Sequence, residues 1–417
     1  MLVTRSVVSP KAVLGGIAAV LLILSAAPKA RAVEPAGSLL EVRPDGSLSP
    51  EELARTVAPL FKGFDDPLPR YTVDAYLIRY TSRYPDGGEA VIVAQLFVPR
   101  LPAGRPGLLY VFAPGSTGLL DVCRPSREHI AGIRWGLYRS HVLAFAGRGV
   151  IGLLPDYMGF GDPQRLQPYF SAVAEGRMML DGVRAVNAFL ADRFTAGARR
   201  PAAFFAGYSQ GGHAAFAAAD LHAAYAPELR IHGIIGYGPT TNLEALFLEF
   251  TVAAPLVVYS YSRIYGSERF NPQDILAERW AATLEHDVTR QCIGGIQSYY
   301  PMSPERLFTP RFVGALRAGT LAQEFPSIYA ILEENSSGLS GHGLPALILQ
   351  GGHDIVVHPP SQDAFVRALC RAGSPVTYLR YPQSRHDTRQ IAFEEVLSWM
   401  EGLAAGAEPS SNCAENR

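Results

Sequence analysis

The stretch FFAGYSQGGHAA (Phe204–Ala215) joins an apolar run to an alanine-rich one through a knot of glycines. PAAFFAGYS (Pro201–Ser209) reads as a strand buried on both faces, and GGHAAFAAADLHAAYA (Gly211–Ala226) as the helix after it. Between them, Gly207-Tyr208-Ser209-Gln210-Gly211 fits the pattern G-x-S-x-G. In that pattern a serine occupies a strained strand-to-helix corner, and glycines two residues before and after it leave room for close packing. The following helix aims its N-terminus at charge developing beside the serine. The pattern alone recurs by chance and also suits an ordinary turn serine. Its placement between strand and helix makes Ser209 a candidate nucleophile.

Working outward, the same alternation recurs. GLLYVFAP (Gly107–Pro114), GVIGLLPDY (Gly149–Tyr157) and IHGIIGYGP (Ile231–Pro239) read as buried strands. Helical stretches fall around Leu137–Gly147 and over Ala172–Asp192. Upstream, YTVDAYLIRY (Tyr71–Tyr80) and EAVIVAQLFVP (Glu89–Pro99) flank PDGG, a hairpin signal. Residues 33–68 are rich in proline and turns, with a short helix expected over Pro50–Ala58. After Pro239 the alternation stops for about a hundred residues. It resumes with LPALILQGGHD (Leu344–Asp354), a helix over Ser361–Ala372, VTYLRYP (Val376–Pro382) and a helix over Ile391–Leu403. Alternating strands and helices imply an α/β fold, a mostly parallel sheet flanked by helices. The interruption is expected to be a helical cap over the C-terminal strand edge, inserted between the sixth and seventh strands, where open α/β sheets bind ligands. The alternative is a separately folding domain.

A serine needs a base, and in this fold class the order along the chain is Ser, Asp or Glu, then His. Asp354 directly follows one late strand, and His386 lies in the loop after the next. His386 is the expected general base, with Asp354 orienting its ring. His353 and His358 fall outside that order. His213 is expected to be a packing or capping residue; His222 and His232 are expected at a helix surface and a strand edge. Asp363 reads as a helix acid and Asp387 as solvated. Zinc chemistry lacks its spacing, with no HExxH and no paired His/Cys set. Neither a cofactor nor a metal is expected. An oxyanion hole needs two donors. One is the backbone N–H of Gln210. The second is sought in APGSTGLLD (Ala113–Asp121), where Gly115, Ser116 and Thr117 are candidates.

The 417-residue chain is 48% hydrophobic, 18% charged and carries a formal charge of −1, so nothing suggests a nucleic-acid partner. Arg5 and Lys11 precede an apolar run from Ala12 to Ala27, and PKARA closes at Ala32. This describes a signal peptide over residues 1–32; the run falls short of the ~20 residues of a membrane span. Removing four cations and no acids leaves 33 basic against 38 acidic residues, a charge of −5. A secreted or periplasmic protein is expected, and its four cysteines, none in a CxxC, then read as disulfides. Of three possible pairings, Cys123–Cys292 with Cys370–Cys413 is favoured. The latter would pin a tail otherwise without reason to be ordered.

The segments APGSTGLLDVCRPS, LPDYMGFGDP, GYSQGG, LQGGHDIVV and the His386 loop together resemble the secretory lipase family, the lipase A type of yeasts and its bacterial relatives. The resemblance implies an α/β-hydrolase fold with Ser209 as nucleophile, Asp354 as acid and His386 as base. It also implies a cap that selects the acyl chain, and an oxyanion neighbourhood around Ser116–Gly118 and Asp121. Cys123 resembles a cysteine the family ties to the cap, which supports Cys123–Cys292. The expected organisation is then a signal peptide (1–32), a core in two parts (33–238 and 344–404), a cap (239–343) and a tail (405–417). The expected activity is that of a secreted serine carboxylic-ester hydrolase, a lipase or esterase. Its partner is an ester or lipid substrate, with transient contact at lipid interfaces, and the protein is expected to be a monomer. The alternatives are a serine peptidase on the same scaffold, which would need cap acids such as Glu244, Glu249 or Glu285 to hold a free amino terminus, and a binding protein on an inactive scaffold.

Overall fold

A computed structural model describes residues 34–102, 107–130, 135–193 and 200–415. The signal peptide expected over residues 1–32 lies outside the described residues. The strands are β1 (Leu39–Leu48), β2 (Val73–Arg83), β3 (Glu89–Pro99), β4 (Leu108–Ala113), β5 (Val150–Pro155), β6 (Ala202–Tyr208), β7 (Ile231–Tyr237), β8 (Ala346–Gly351) and β9 (Val376–Tyr381). They form one sheet in the order β1-β2-β3-β5-β4-β6-β7-β8-β9. β1, β2 and β3 pair antiparallel, and β3 meets β5 antiparallel; from β5 through β9 every pairing is parallel. The parallel strands are the apolar runs of the sequence, because helices cover both of their faces.

The first four helices are α1 (Pro50–Val57), α2 (Tyr138–Gly147), α3 (Ala172–Arg193) and α4 (Gln210–Tyr225). The long interruption follows β7. It contains α5 (Leu243–Glu249), α6 (Ala254–Tyr265), α7 (Pro272–Ile275), α8 (Glu278–Val288), α9 (Ile293–Tyr299), α10 (Pro304–Leu307), α11 (Pro310–Ala318), α12 (Leu321–Glu324) and α13 (Pro326–Glu334). The chain then returns through α14 (Pro359–Arg371) and α15 (Phe393–Ala404). α3, α4 and α14 pack on one face of the sheet through residues such as Met179, Phe216 and Phe365. α1, α2 and α15 pack on the other through Leu53, Phe145 and Phe393. The insertion has its own apolar core, built on Phe247, Tyr261, Phe308 and Phe312. It nevertheless belongs with the sheet to one compact unit, Pro35–Arg417.

All eight expected strands are present, and β1 is an addition. Its sequence, LLEVRPDGSL, is mostly exposed and bulges between Pro44 and Ser47. A proline and a turn-like Asp-Gly suit a sheet edge, not a buried run. Counting β1, the insertion lies between the seventh and eighth strands, one later than expected. Both favoured disulfides are formed, Cys123–Cys292 and Cys370–Cys413. Asn412 seats the tail on β9: its N–H bonds the Val376 carbonyl, and its side chain bonds both main-chain groups of Tyr378, each at 2.9 Å. Among the described residues no single helix is long and apolar enough to cross a membrane.

Candidate active site

β6 ends at Tyr208 and α4 begins at Gln210, so Ser209 alone makes the corner. Its backbone has φ +56° and ψ −115°, a conformation that costs a residue other than glycine about 1–3 kcal/mol. The corner is pinned from one side, since Ser209 N–H bonds the Tyr237 carbonyl at 3.1 Å and Thr240 N–H bonds the Ser209 carbonyl at 3.2 Å. The flanking glycines are explained by contact. A Cβ on Gly207 would lie 1.8 Å from the Gly211 carbonyl oxygen, and one on Gly211 would lie 1.9 Å from that of Ala113. Here α4 presses against the ends of β4 and β6 without room for a methyl group.

Asp354 and His386 follow β8 and β9 on the same strand edge. The His386 loop crosses the end of β8, so close that a Cβ on Gly351 would lie 1.9 Å from the Arg385 carbonyl oxygen. Asp354 is buried. Its Oδ1 accepts the N–H groups of Val356 and Val357 at 2.8 and 2.9 Å. Its Oδ2 accepts His386 Nδ1–H at 2.8 Å and Gln350 Nε2–H at 3.3 Å. Because Nδ1 keeps its proton to donate to Asp354, Nε2 presents its lone pair. That nitrogen is buried and has no hydrogen-bond partner. The His386 ring packs on Tyr208, the residue before Ser209, with centroids 4.8 Å apart. The Gly238 backbone, one residue beyond the strand that pins Ser209, lies against both His386 and Asp354.

Two neighbours differ from expectation. Asp387 is not merely solvated: it receives Arg389 Nε–H at 2.9 Å and Nη2–H at 2.6 Å. Burial would raise its pKa, but the Arg389 charge and hydrogen bonds outweigh burial and hold the carboxyl well below the usual range. The Arg389 guanidinium is buried between the rings of Tyr138 and Tyr208, 5.1 and 4.7 Å from their centroids. This buried cation ties the His386 loop to the shoulder of Ser209, and no sequence signal separates it from a surface arginine. His213 is more than packing. It joins a buried carboxylate, Glu175, at 2.6 Å.

The Gln210 side chain is fully buried and donates to Glu175 Oε1 at 2.7 Å. Of the opposing loop, Gly115 lies against Tyr138 and Tyr208, and Ser116 Oγ is 2.5 Å from Tyr169 Oη. The Thr117 hydroxyl is buried without a partner, while the Thr117 carbonyl accepts from Ile293 in the insertion. Asp121, beyond this loop, faces Arg124 and Arg127. A cavity of about 350 Å³ opens between α5, α14 and the ends of β7 and β8. Thr240 and Val357 border it, but none of Ser209, Asp354 and His386 lines it. Among the described residues no cluster of three or more His, Cys, Asp or Glu is arranged to hold a metal.

Comparison with known proteins places the chain in a family. The chain is 28% identical over 282 residues to a lipase A of Arthroderma benhamiae, covering 65% of this chain and 56% of that protein. It is 26% identical over 364 residues to a secreted triacylglycerol lipase of Malassezia globosa, covering 82% and 76%. The chain thus spans little more than half the length of the Arthroderma relative. The fold matches that of the rice cell wall degrading esterase LipA from Xanthomonas oryzae, with a TM-score of 0.69 at 18% identity over 89% of this chain and 97% of that one. The secretory lipase family model matches residues 129–412, from before α2 to the Asn412 clasp. The chain therefore belongs to the secretory lipase family, on an α/β-hydrolase fold.

Proposed function

We propose that the chain is an exported serine carboxylic-ester hydrolase acting on lipid-like esters, with Ser209, Asp354 and His386 as its triad. The observation that carries this reading is the 2.8 Å His386–Asp354 hydrogen bond, with Nε2 left unpartnered on the edge where Ser209 makes its corner. Ser209 Oγ attacks the ester carbonyl carbon while His386 Nε2 takes its proton. The oxyanion receives the Gln210 N–H and a donor from the Gly115–Thr117 loop. The imidazolium, stabilised by Asp354, gives its proton to the departing alkoxide and leaves an acyl-serine. Water attacks that ester and passes a proton to His386, which returns it to Ser209 Oγ as the acyl–oxygen bond breaks, releasing the acid and the free serine. The two disulfides suit an oxidising compartment, and the insertion acts as the cap that shapes the acyl site.

Two of the three acids the peptidase alternative would draw on are engaged elsewhere. Glu249 accepts from Ser361 Oγ and His358 N–H, and Glu285 pairs with Arg263 and Tyr259. The test is Ser209→Ala, assayed on p-nitrophenyl butyrate after its fold is verified. Hydrolysis should fall by at least ~10⁴-fold, as for loss of a triad member. A folded variant that hydrolyses the ester at the wild-type rate overturns the assignment.

A further inference from the structure

Behind the Ser209 corner lies a buried hydrogen-bonded cluster with no place in the steps above. Glu175, in the first turn of α3, is 2% exposed, and His213 on α4 is fully buried. Glu175 Oε1 accepts Gln210 Nε2–H at 2.7 Å and Phe170 N–H at 3.0 Å. Glu175 Oε2 meets His213 Nδ1 at 2.6 Å, and His213 Nε2 meets the Asn335 carbonyl at 2.6 Å. A carbonyl only accepts, so Nε2 carries its proton, and a second proton lies between Nδ1 and the carboxyl. A buried carboxyl and imidazole of this kind are costly unless both are fully bonded. Here both are, through Gln210, Phe170 and, in the insertion, Asn335. Asn335 is the C-cap of α13. Phe170, held at φ +56°, also gives its carbonyl to Tyr261 of α6 at 2.7 Å. Tyr169 beside it reaches Ser116 in the opposing loop at 2.5 Å, and its N–H bonds Ser260 of α6 at 3.0 Å.

We infer that Glu175 and His213 are positioning residues for ester hydrolysis. They share a proton, hold the Gln210 side chain so that its backbone N–H faces the oxyanion, and tie that setting to the seated insertion. The inference rests on Ser209 as nucleophile. Its chemistry is electrostatic preorganisation, since a donor already fixed in place needs no reorganisation as charge develops. Neither residue touches substrate, so removing them should leave ground-state binding almost unchanged.

The experiment is a double-mutant cycle on p-nitrophenyl butyrate, run well below each variant's melting temperature. Glu175→Ala is expected to lower kcat by about 10–100-fold with KM within about threefold, the size of a mispositioned group. Gln210→Ala keeps the backbone N–H but cuts the same link, and should give a similar loss. The double variant should lose no more than the worse single one. Glu175→Gln can accept from Gln210 and Phe170 and donate to His213 Nδ1, so it should keep kcat within about threefold of wild type. A folded Glu175→Ala or Gln210→Ala with wild-type kcat overturns the inference, as does strict multiplication of their losses. If Glu175→Ala does not fold, Gln210→Ala decides alone: a kcat loss supports the link, and unchanged kcat overturns it. Ser209→Ala separates the two readings, because an inactive Ser209→Ala beside fully active cluster variants defeats only the inference.

Discussion

At the scale of single residues, the carboxyl groups show what sequence order can and cannot reveal. Asp354 and His386 are legible because each directly follows a recognisable strand, and strand ends collect on one edge of a parallel sheet. Glu175 is not legible, because it sits within an amphipathic helix among acids that are usually solvated. Asp156, just beyond β5, is likewise hidden. It is buried and accepts Ser126 N–H at 2.7 Å, with Ser126 Oγ 2.5 Å from its other oxygen. Burial raises its pKa to about 7 against the partial relief of those hydrogen bonds. In the unfolded chain the carboxyl ionises near its ordinary value of ~3.9. Below that value both states are protonated and ionisation costs nothing. As pH rises to about 7 the unfolded chain gives up a proton that the fold retains, so stability falls. Above about 7 the cost is constant, at a few kcal/mol from ~1.4 kcal/mol per pKa unit. Asn in its place keeps the protonated pattern, accepting from Ser126 N–H and donating to Ser126 Oγ. Asp156→Asn should therefore gain melting temperature over wild type as pH rises from about 4.5 to about 7.5, by several degrees. A difference that stays flat across that range would mean an ordinary carboxylate.

At the scale of elements, strands surrounded by protein are the readable ones, because burial on both faces writes a continuous apolar run. β1 escapes that rule as an exposed edge strand with Pro44 and a bulge. The C-terminal tail is a second case. Residues 405–415 have no periodicity, and the cysteine at 413 is the sequence's only sign that they are tied down. In the structure the tail is held by Cys370–Cys413, by Asn412 standing in as a strand partner for β9, and by Ser410, whose carbonyl accepts from Thr377 Oγ1 at 2.7 Å. The bridge closes 43 residues, so chain entropy assigns it about 3–4 kcal/mol. Replacing both cysteines with serine should lower the melting temperature and leave kcat on p-nitrophenyl butyrate unchanged, since the bridge joins the last turn of α14 to the tail by Ser374 and Val376, at the start of β9, while His386 follows that strand's other end. Loss of turnover in a variant that still melts cooperatively would place the tail in the reaction instead.

At the scale of the whole molecule, the sheet and the insertion differ in how they are encoded. The sheet's order follows from local patterns and from the geometry of parallel crossovers. The insertion's nine short helices form one core from scattered aromatic residues, and where that core meets the sheet is set by tertiary contact that periodicity does not record. Cys123–Cys292 marks one such place. Cys292 caps α9, Cys123 closes the turn after the Gly115–Thr117 loop, and Ile293 N–H bonds the Thr117 carbonyl at 2.8 Å. A Cβ on Gly118 would lie 3.0 Å from the Cys292 Cα, so the loop and α9 are in direct contact. The bridge spans 169 residues, and its entropic contribution exceeds that of the tail bridge by less than ~1.5 kcal/mol. The two bridges should thus stabilise the fold to a similar degree and affect the reaction differently. Cys123→Ser with Cys292→Ser should reduce kcat about tenfold or more, because the loop proposed to offer the second oxyanion donor loses its covalent hold. The comparison is kcat for the two double variants, each measured at the same interval below its own melting temperature. Equal kcat in both would mean that the loop keeps its shape without the insertion, and that the bridge serves stability alone.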